Sequence, residues 1–135
     1  MTVFKNITIV TLLLLTVGAA HAQQTPPQAI FQSLLAKALA DYPGKEGLVL
    51  TVVYPPGVAE PLHRHNAHAF IYVLEGSVVM GVRGGKSVTL TPGETFYEGP
   101  NDVHTVGRNA SSTKPAKFLV FLLKNRDEPI AMPAN

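Results

Sequence analysis

The sequence predicts an all-β domain: a double-sheet jelly-roll barrel, with one N-terminal helix after a signal peptide. Three observations predict the barrel. From Gly47 onward the chain is a series of short runs rich in Val, Leu, Thr and Phe, each ended by a Gly- or Pro-containing turn. Gly84-Gly85 stands between two such runs, Ser77 to Arg83 and Lys86 to Leu90, as a hairpin signal. No strand–helix alternation and no repeat of fixed period is present, which argues against parallel α/β and solenoid architectures.

Length and composition bound the rest. The 135 residues suffice for one domain with a real core and fall short of two. Charged residues make up only 15% of the chain, which fits a compact domain rather than a disordered one. The net charge is +2, and the positive residues are scattered, so nucleic acid is not an expected partner. Cysteine is absent, so any metal must be held by His and carboxylate.

Residues 1–22 read as a secretory signal peptide. Lys5 supplies the positive start, Ile7 to Val17 the apolar run, and Ala20-His21-Ala22 the small-residue cleavage site, which predicts a mature chain from Gln23. The apolar run is shorter than the roughly 20 residues a membrane-spanning helix needs. The expected destination is across the inner membrane, in the periplasm, with no membrane contact after cleavage. Removing Lys5 leaves 10 basic and 9 acidic residues, a net +1.

Residues 23–46 read as a linker and a helix. Gln23 to Gln28 is polar and contains proline. Ala29 to Ala40 places Ile30, Phe31, Leu34, Leu35, Ala38 and Leu39 on one stripe at helical spacing, and Pro43-Gly44 stops it. Residues 47–124 form the barrel. Leu48 to Tyr54 is the first strand, ended by Pro55-Pro56-Gly57. Leu62 to His65, Ala69 to Leu74, the Gly84-Gly85 hairpin, Glu94 to Glu98 and Val103 to Arg108 follow. Ala116 to Leu123 is apolar on both faces, as expected of a fully buried strand. Residues 125–135, with Pro129 and Pro133, read as a loose tail. Phe70, Ile71, Val73, Val78, Met80, Val82, Phe96, Val106, Phe118, Val120 and Leu122 are the expected core, and Tyr72 and Tyr97 line the cavity or fill the core.

His63-Arg64-His65 places two imidazoles on the same face of one strand. His104 follows a second turn–strand–turn stretch that starts at Gly93. With the leader removed, all four remaining histidines lie in these two stretches. Neutral imidazole is the commonest biological metal ligand. His68 stands one position before Ala69, so alternation turns it to the opposite face unless the turn at Asn66-Ala67 is irregular. Glu98, between Phe96-Tyr97 and the second motif's turn, either points to solvent or takes one of three roles: fourth ligand, partner for a His N–H, or general base raised by burial. Asp102 reads as a turn cap.

The two stretches resemble the cupin family. Its first motif runs Gly, five residues, H-x-H, three or four residues, Glu, six residues, Gly. Gly57, His63, His65 and Gly76 match it, and Ala69 stands where the Glu is expected. In the second motif Gly93 and His104 have the right separation, while Gly99, Asn101 and Arg108 replace the Pro, Gly and Asn. The resemblance implies a cupin double-stranded β-helix with His104 facing His63 and His65 across the barrel mouth. It also implies one divalent transition metal (Fe, Mn, Ni, Cu or Zn) on His63, His65 and His104. Glu98, a carboxylate where the family has an apolar residue, is the candidate catalytic residue, as base or extra ligand. Three His without the Glu would leave a divalent ion at +2 and favour an anionic ligand. A small, apolar barrel interior disfavours a large polar substrate. Dioxygenase and isomerase or lyase chemistry are both implied, as is a non-catalytic metal or small-molecule binding role. Cupins often pair through their sheets, which implies a homodimer.

Overall fold

A computed structural model of the chain describes residues 25–135. The signal peptide expected at residues 1–22 lies outside them. Among the described residues there are ten strands and no helix. They form two antiparallel five-stranded sheets. The first has the order β1 (Ile30–Ala38), β2 (Lys45–Tyr54), β9 (Ala116–Asn125), β4 (Ala67–Glu75), β7 (Thr95–Glu98). The second has the order β10 (Met132–Pro133), β3 (His63–Arg64), β8 (His104–Asn109), β5 (Val78–Val82), β6 (Val88–Leu90).

The core lies between the sheets and follows strand alternation. Leu48, Leu50, Val52 and Tyr54 of β2 face inward, as do Ala116, Phe118, Val120 and Leu122 of β9 and Ala67, Ala69, Ile71 and Val73 of β4. Val78 and Met80 close the core from the second sheet. Asn109, one position after the Arg that replaces the motif's Asn, is buried. Its Nδ2 donates to the carbonyls of Tyr54, Pro55 and Lys114 and ties three loop ends together.

The helix expected over Ala29–Ala40 is instead β1, antiparallel to β2 from Ile30↔Val53 to Ala38↔Glu46. A helix this short is marginal in water by itself, whereas β2 offers an open row of backbone donors and acceptors. A register shift between Ser33 and Leu35 divides the apolar pairs that imitate a helical stripe. The tail is not loose either: β10 pairs with β3, and Ala134 N–H donates to the Leu62 carbonyl. The hairpin is longer than a two-residue loop. Its ladder ends at Met80↔Val88, and a turn closes with Gly85 N–H on the Val82 carbonyl, Gly84 taking φ 80°.

The outer face of the first sheet also departs from expectation. Phe70, Tyr72 and Tyr97 are about half exposed rather than in the core, at 47%, 46% and 48%. Phe121 lies beside Phe70, at 6.0 Å between ring centroids. β9 is therefore buried on one face only. Val82, Phe96 and Val106 are half-buried. The apolar outer row makes these strands look buried on both sides, and alternation alone does not say which side the second sheet covers.

Candidate metal centre

Three elements deliver the histidines. His63 is in β3 and His65 in the loop just after it. His104 opens β8 directly opposite His63, at register His63↔His104. The candidate ligand atoms of His63, His65 and His104 all lie within 4.8 Å of one another. His104 Nδ1 is 3.2 Å from His63 Nε2, and the His63 ring meets the rings of His65 and His104 edge-on at 4.9 and 4.8 Å.

Backbone carbonyls fix two of the rings. His63 Nδ1 lies 2.9 Å from the Pro61 carbonyl, and His65 Nδ1 lies 2.7 Å from the Ile130 carbonyl. A carbonyl only accepts, so each Nδ1 carries the proton and each neutral ring turns its Nε2 lone pair into the site, that of His63 toward His104 Nδ1.

Glu98 lies below the histidines. It is 2% exposed, with Oε1 at 3.4 Å from His104 Nδ1 and Oε2 at 3.5 Å from His65 Nε2. Its Oε2 has no hydrogen-bond partner, and neither has His104 Nε2. A second carboxylate, Glu60, has Oε2 at 3.8 Å from His63 Nε2. Neither spacing nor motif singled out Glu60; the loop between β2 and β3 brings it in, its N–H donating to the Gly107 carbonyl. Tyr54, also unremarked in the sequence, has its hydroxyl bonded to Glu60.

Burial governs the proton affinities. It lowers His65, and it lowers His104 to about 4 with His63 and His65 adding to the effect. It raises Glu98 to about 7, with the negative charges of Asp102 and Glu60 acting in the same direction. Burial also drives the Tyr54 phenol well above its usual range, assisted by Glu60 and Glu98.

The donor set fits a divalent cation. The three imidazoles bring their ligand atoms together, and a carboxylate oxygen without a donor lies against two of them, a cluster that lacks a positive partner. Nitrogen-rich donors with one carboxylate suit borderline divalent transition ions. The cavity around them is about 40 Å³ and mostly apolar, bordered by Leu50, Val52, Ile71, Met80 and Phe118. That is room for an ion with a few waters or a small fragment. Phe31 of β1 and Ile130 of the tail also border it, so the two segments misread in the sequence both close the site.

The other candidates lie elsewhere. His68 projects from the outer face, with Nδ1 at 2.7 Å from the Tyr97 hydroxyl, as alternation predicts. It does so although Asn66 has φ 42°. Asp102 caps its turn, its Oδ2 accepting from Gly99 N–H at 2.6 Å.

Fold and site define a small jelly-roll protein with a three-histidine group that can hold a metal ion. The cupin domain profile matches residues 50–122, more than half of the chain, and the chain belongs to the cupin family. Solved structures share the fold. An uncharacterized conserved protein with a double-stranded β-helix domain from Klebsiella pneumoniae has a TM-score of 0.64 at 17% identity, covering 84% of this chain and 90% of that one. An oxalate oxidase in complex with the substrate analogue glycolate has a TM-score of 0.60 at 24% identity, covering 80% of this chain and 56% of that one. The DMSP lyase DddQ from Ruegeria pomeroyi has a TM-score of 0.57 at 22% identity, covering 65% of this chain. The chain spans 43% of that lyase's length. No curated protein sequence matches the chain.

Proposed function

We propose that this cupin is an exported, metal-dependent protein that binds and transforms a small anionic molecule at His63, His65 and His104. One observation carries the reading: three imidazoles from β3, its following loop and β8 bring their ligand atoms within 4.8 Å at the edge of an apolar cavity. A divalent transition metal held there would act as a Lewis acid on an oxygen donor, with positions left open for it. Pro61 and Ile130 orient the rings, and the apolar lining excludes bulk water. Glu98 and Glu60 are the groups that can hold a proton beside a bound ligand. The cavity favours a small ligand. The oxalate oxidase bound to glycolate suggests the first probes, oxalate and glycolate. Oxygen-dependent turnover and isomerase or lyase chemistry are the two reaction classes to assay.

Export and pairing belong to the same proposal. The leader over residues 1–22 supports export to the periplasm with a mature start at Gln23. The neighbouring Phe70, Tyr72, Tyr97 and Phe121 on the outer sheet face support a homodimer through that face.

Elemental analysis of the mature, untagged protein beside His63→Ala and His104→Ala tests the reading. Near-stoichiometric metal lost in both variants is the expected result, and metal-free, folded wild-type protein would remove it. Tight metal binding without turnover on a panel of small carboxylic acids would reduce the function to sequestration.

A further inference from the structure

The first cupin motif places its carboxylate at residue 69, and this chain has Ala69 there. We propose that Glu98 supplies that carboxylate ligand from the neighbouring strand β7. The inference rests on the metal reading above and adds the fourth ligand to it.

The register carries the argument. Ala69 of β4 pairs directly with Glu98 of β7, and on its other side with Leu122 of β9, which pairs with Leu48 of β2. Directly paired residues project to the same face, with Cβ atoms roughly 5 Å apart. Leu48, Leu122 and Ala69 all point into the barrel, so Glu98 does too, and all four are buried. Ala69 contributes only a methyl group. The space a longer side chain would fill is left to the carboxylate from the next strand.

The hydrogen bonding argues against Glu98 acting merely as an acceptor for His65. A carboxylate that merely steadies an imidazole accepts that ring's N–H. His65 has already given its Nδ1–H to the Ile130 carbonyl, so the Nε2 facing Glu98 Oε2 at 3.5 Å is a lone pair. Two acceptors face each other there, and Oε2 has no other partner. A cation between them satisfies both. Glu60 lies farther out, with Oε2 at 3.8 Å from His63 Nε2, against 3.4 and 3.5 Å for the Glu98 oxygens on His104 and His65. With Glu98 as ligand, a divalent ion with three imidazoles carries a net +1 rather than +2.

The experiment compares wild type, Glu98→Gln and the relocation variant Ala69→Glu/Glu98→Ala. Zn(II) affinity is measured by competition with a chromophoric chelator, and the visible spectrum of Co(II)-loaded protein reports the donor set. Folding of each metal-free protein is followed by circular dichroism. Glu98→Gln is expected to weaken Zn(II) binding by about 100-fold or more, since even outer partners of ligands cost roughly 10–100-fold, and to change the Co(II) spectrum. The relocation variant is expected to recover to within about tenfold of wild type, because it returns a carboxylate to the neighbouring strand. Glu98→Gln binding Zn(II) like wild type would overturn this inference and leave the three-histidine reading intact. A folded relocation variant as weak as Glu98→Gln would overturn the exchange of strands. Wild-type protein that binds no metal would overturn both readings.

Discussion

His65 donates its Nδ1–H to the carbonyl of Ile130 at 2.7 Å, across 65 positions of sequence. The acceptor belongs to the C-terminal segment, whose β10 pairs with β3 and whose Ile130 borders the cavity. The tail therefore fixes which nitrogen of a candidate ligand faces the site, and it also covers that site.

Removing the tail tests this. A chain ending at Asn125 keeps every barrel strand except β10. It is expected to fold and to bind Zn(II) about 10–100-fold more weakly, the usual cost of losing an outer partner of a ligand. Competition titration gives the affinity. Unchanged affinity in the shortened chain would show that the Ile130 carbonyl does not matter.

Gly107 offers a test that touches no ligand. A Cβ there would lie 2.8 Å from His104 Cε1, 3.2 Å from its Nε2 and 3.3 Å from the Tyr54 hydroxyl. The ring rests on bare backbone, and a methyl group would push it off. Gly107→Ala is expected to retain the fold and lose metal affinity by about tenfold or more. Metal titration beside thermal unfolding of the metal-free protein separates the two effects.

The pH dependence of metal-free stability follows from Glu98 and His104. Glu98 is raised from 4.5 to about 7, so the folded state binds the extra proton and this group's contribution grows as pH falls from about 7 to 4.5. His104 is lowered from 6.5 to about 4, so the unfolded state binds the extra proton and stability is lost as pH falls from 6.5 to about 4. Each effect is on the order of 3 kcal/mol, and they oppose one another between pH 4.5 and 6.5. Glu98→Gln removes the first and leaves the second. Its metal-free stability is expected to fall more steeply than wild type from pH 6.5 to 4.5, as read by urea unfolding at a series of pH values. Parallel profiles would contradict the raised proton affinity of Glu98.

Metal uptake has its own proton count. Burial lowers His65 and His104 and raises Glu98, so Glu98 brings a proton to be displaced near pH 6. Calorimetry in buffers of different ionisation enthalpy is expected to find more protons released per metal at pH 6 than at pH 8. Equal release at both values would remove Glu98 from the site.

The proposed homodimer has a direct check. Phe70→Ser/Phe121→Ser removes two adjacent rings from the outer face while leaving the inward row untouched. Sedimentation is expected to show dimer for wild type and monomer for the variant. A wild-type monomer at high concentration would remove the pairing.

What the sequence determined by itself is local. Runs ended by Gly and Pro place β2 to β9 to within three residues of their ends, and the H-x-H spacing puts His63 and His65 on one face. Motif spacing brings in His104, and alternation sends His68 outward. These follow from periods of two residues and from turn chemistry, which act over a few positions. The tertiary structure decided the rest. Ile30 to Ala38 is a strand because β2 has a free edge, although its own spacing is helical. Tyr72 and Tyr97 face outward because the second sheet covers the other side. Glu98 meets Ala69, and Ile130 meets His65, only through the pairing of β7 with β4 and of β10 with β3. Strand register over long separations is set by how the two sheets close on each other, and no local pattern carries it.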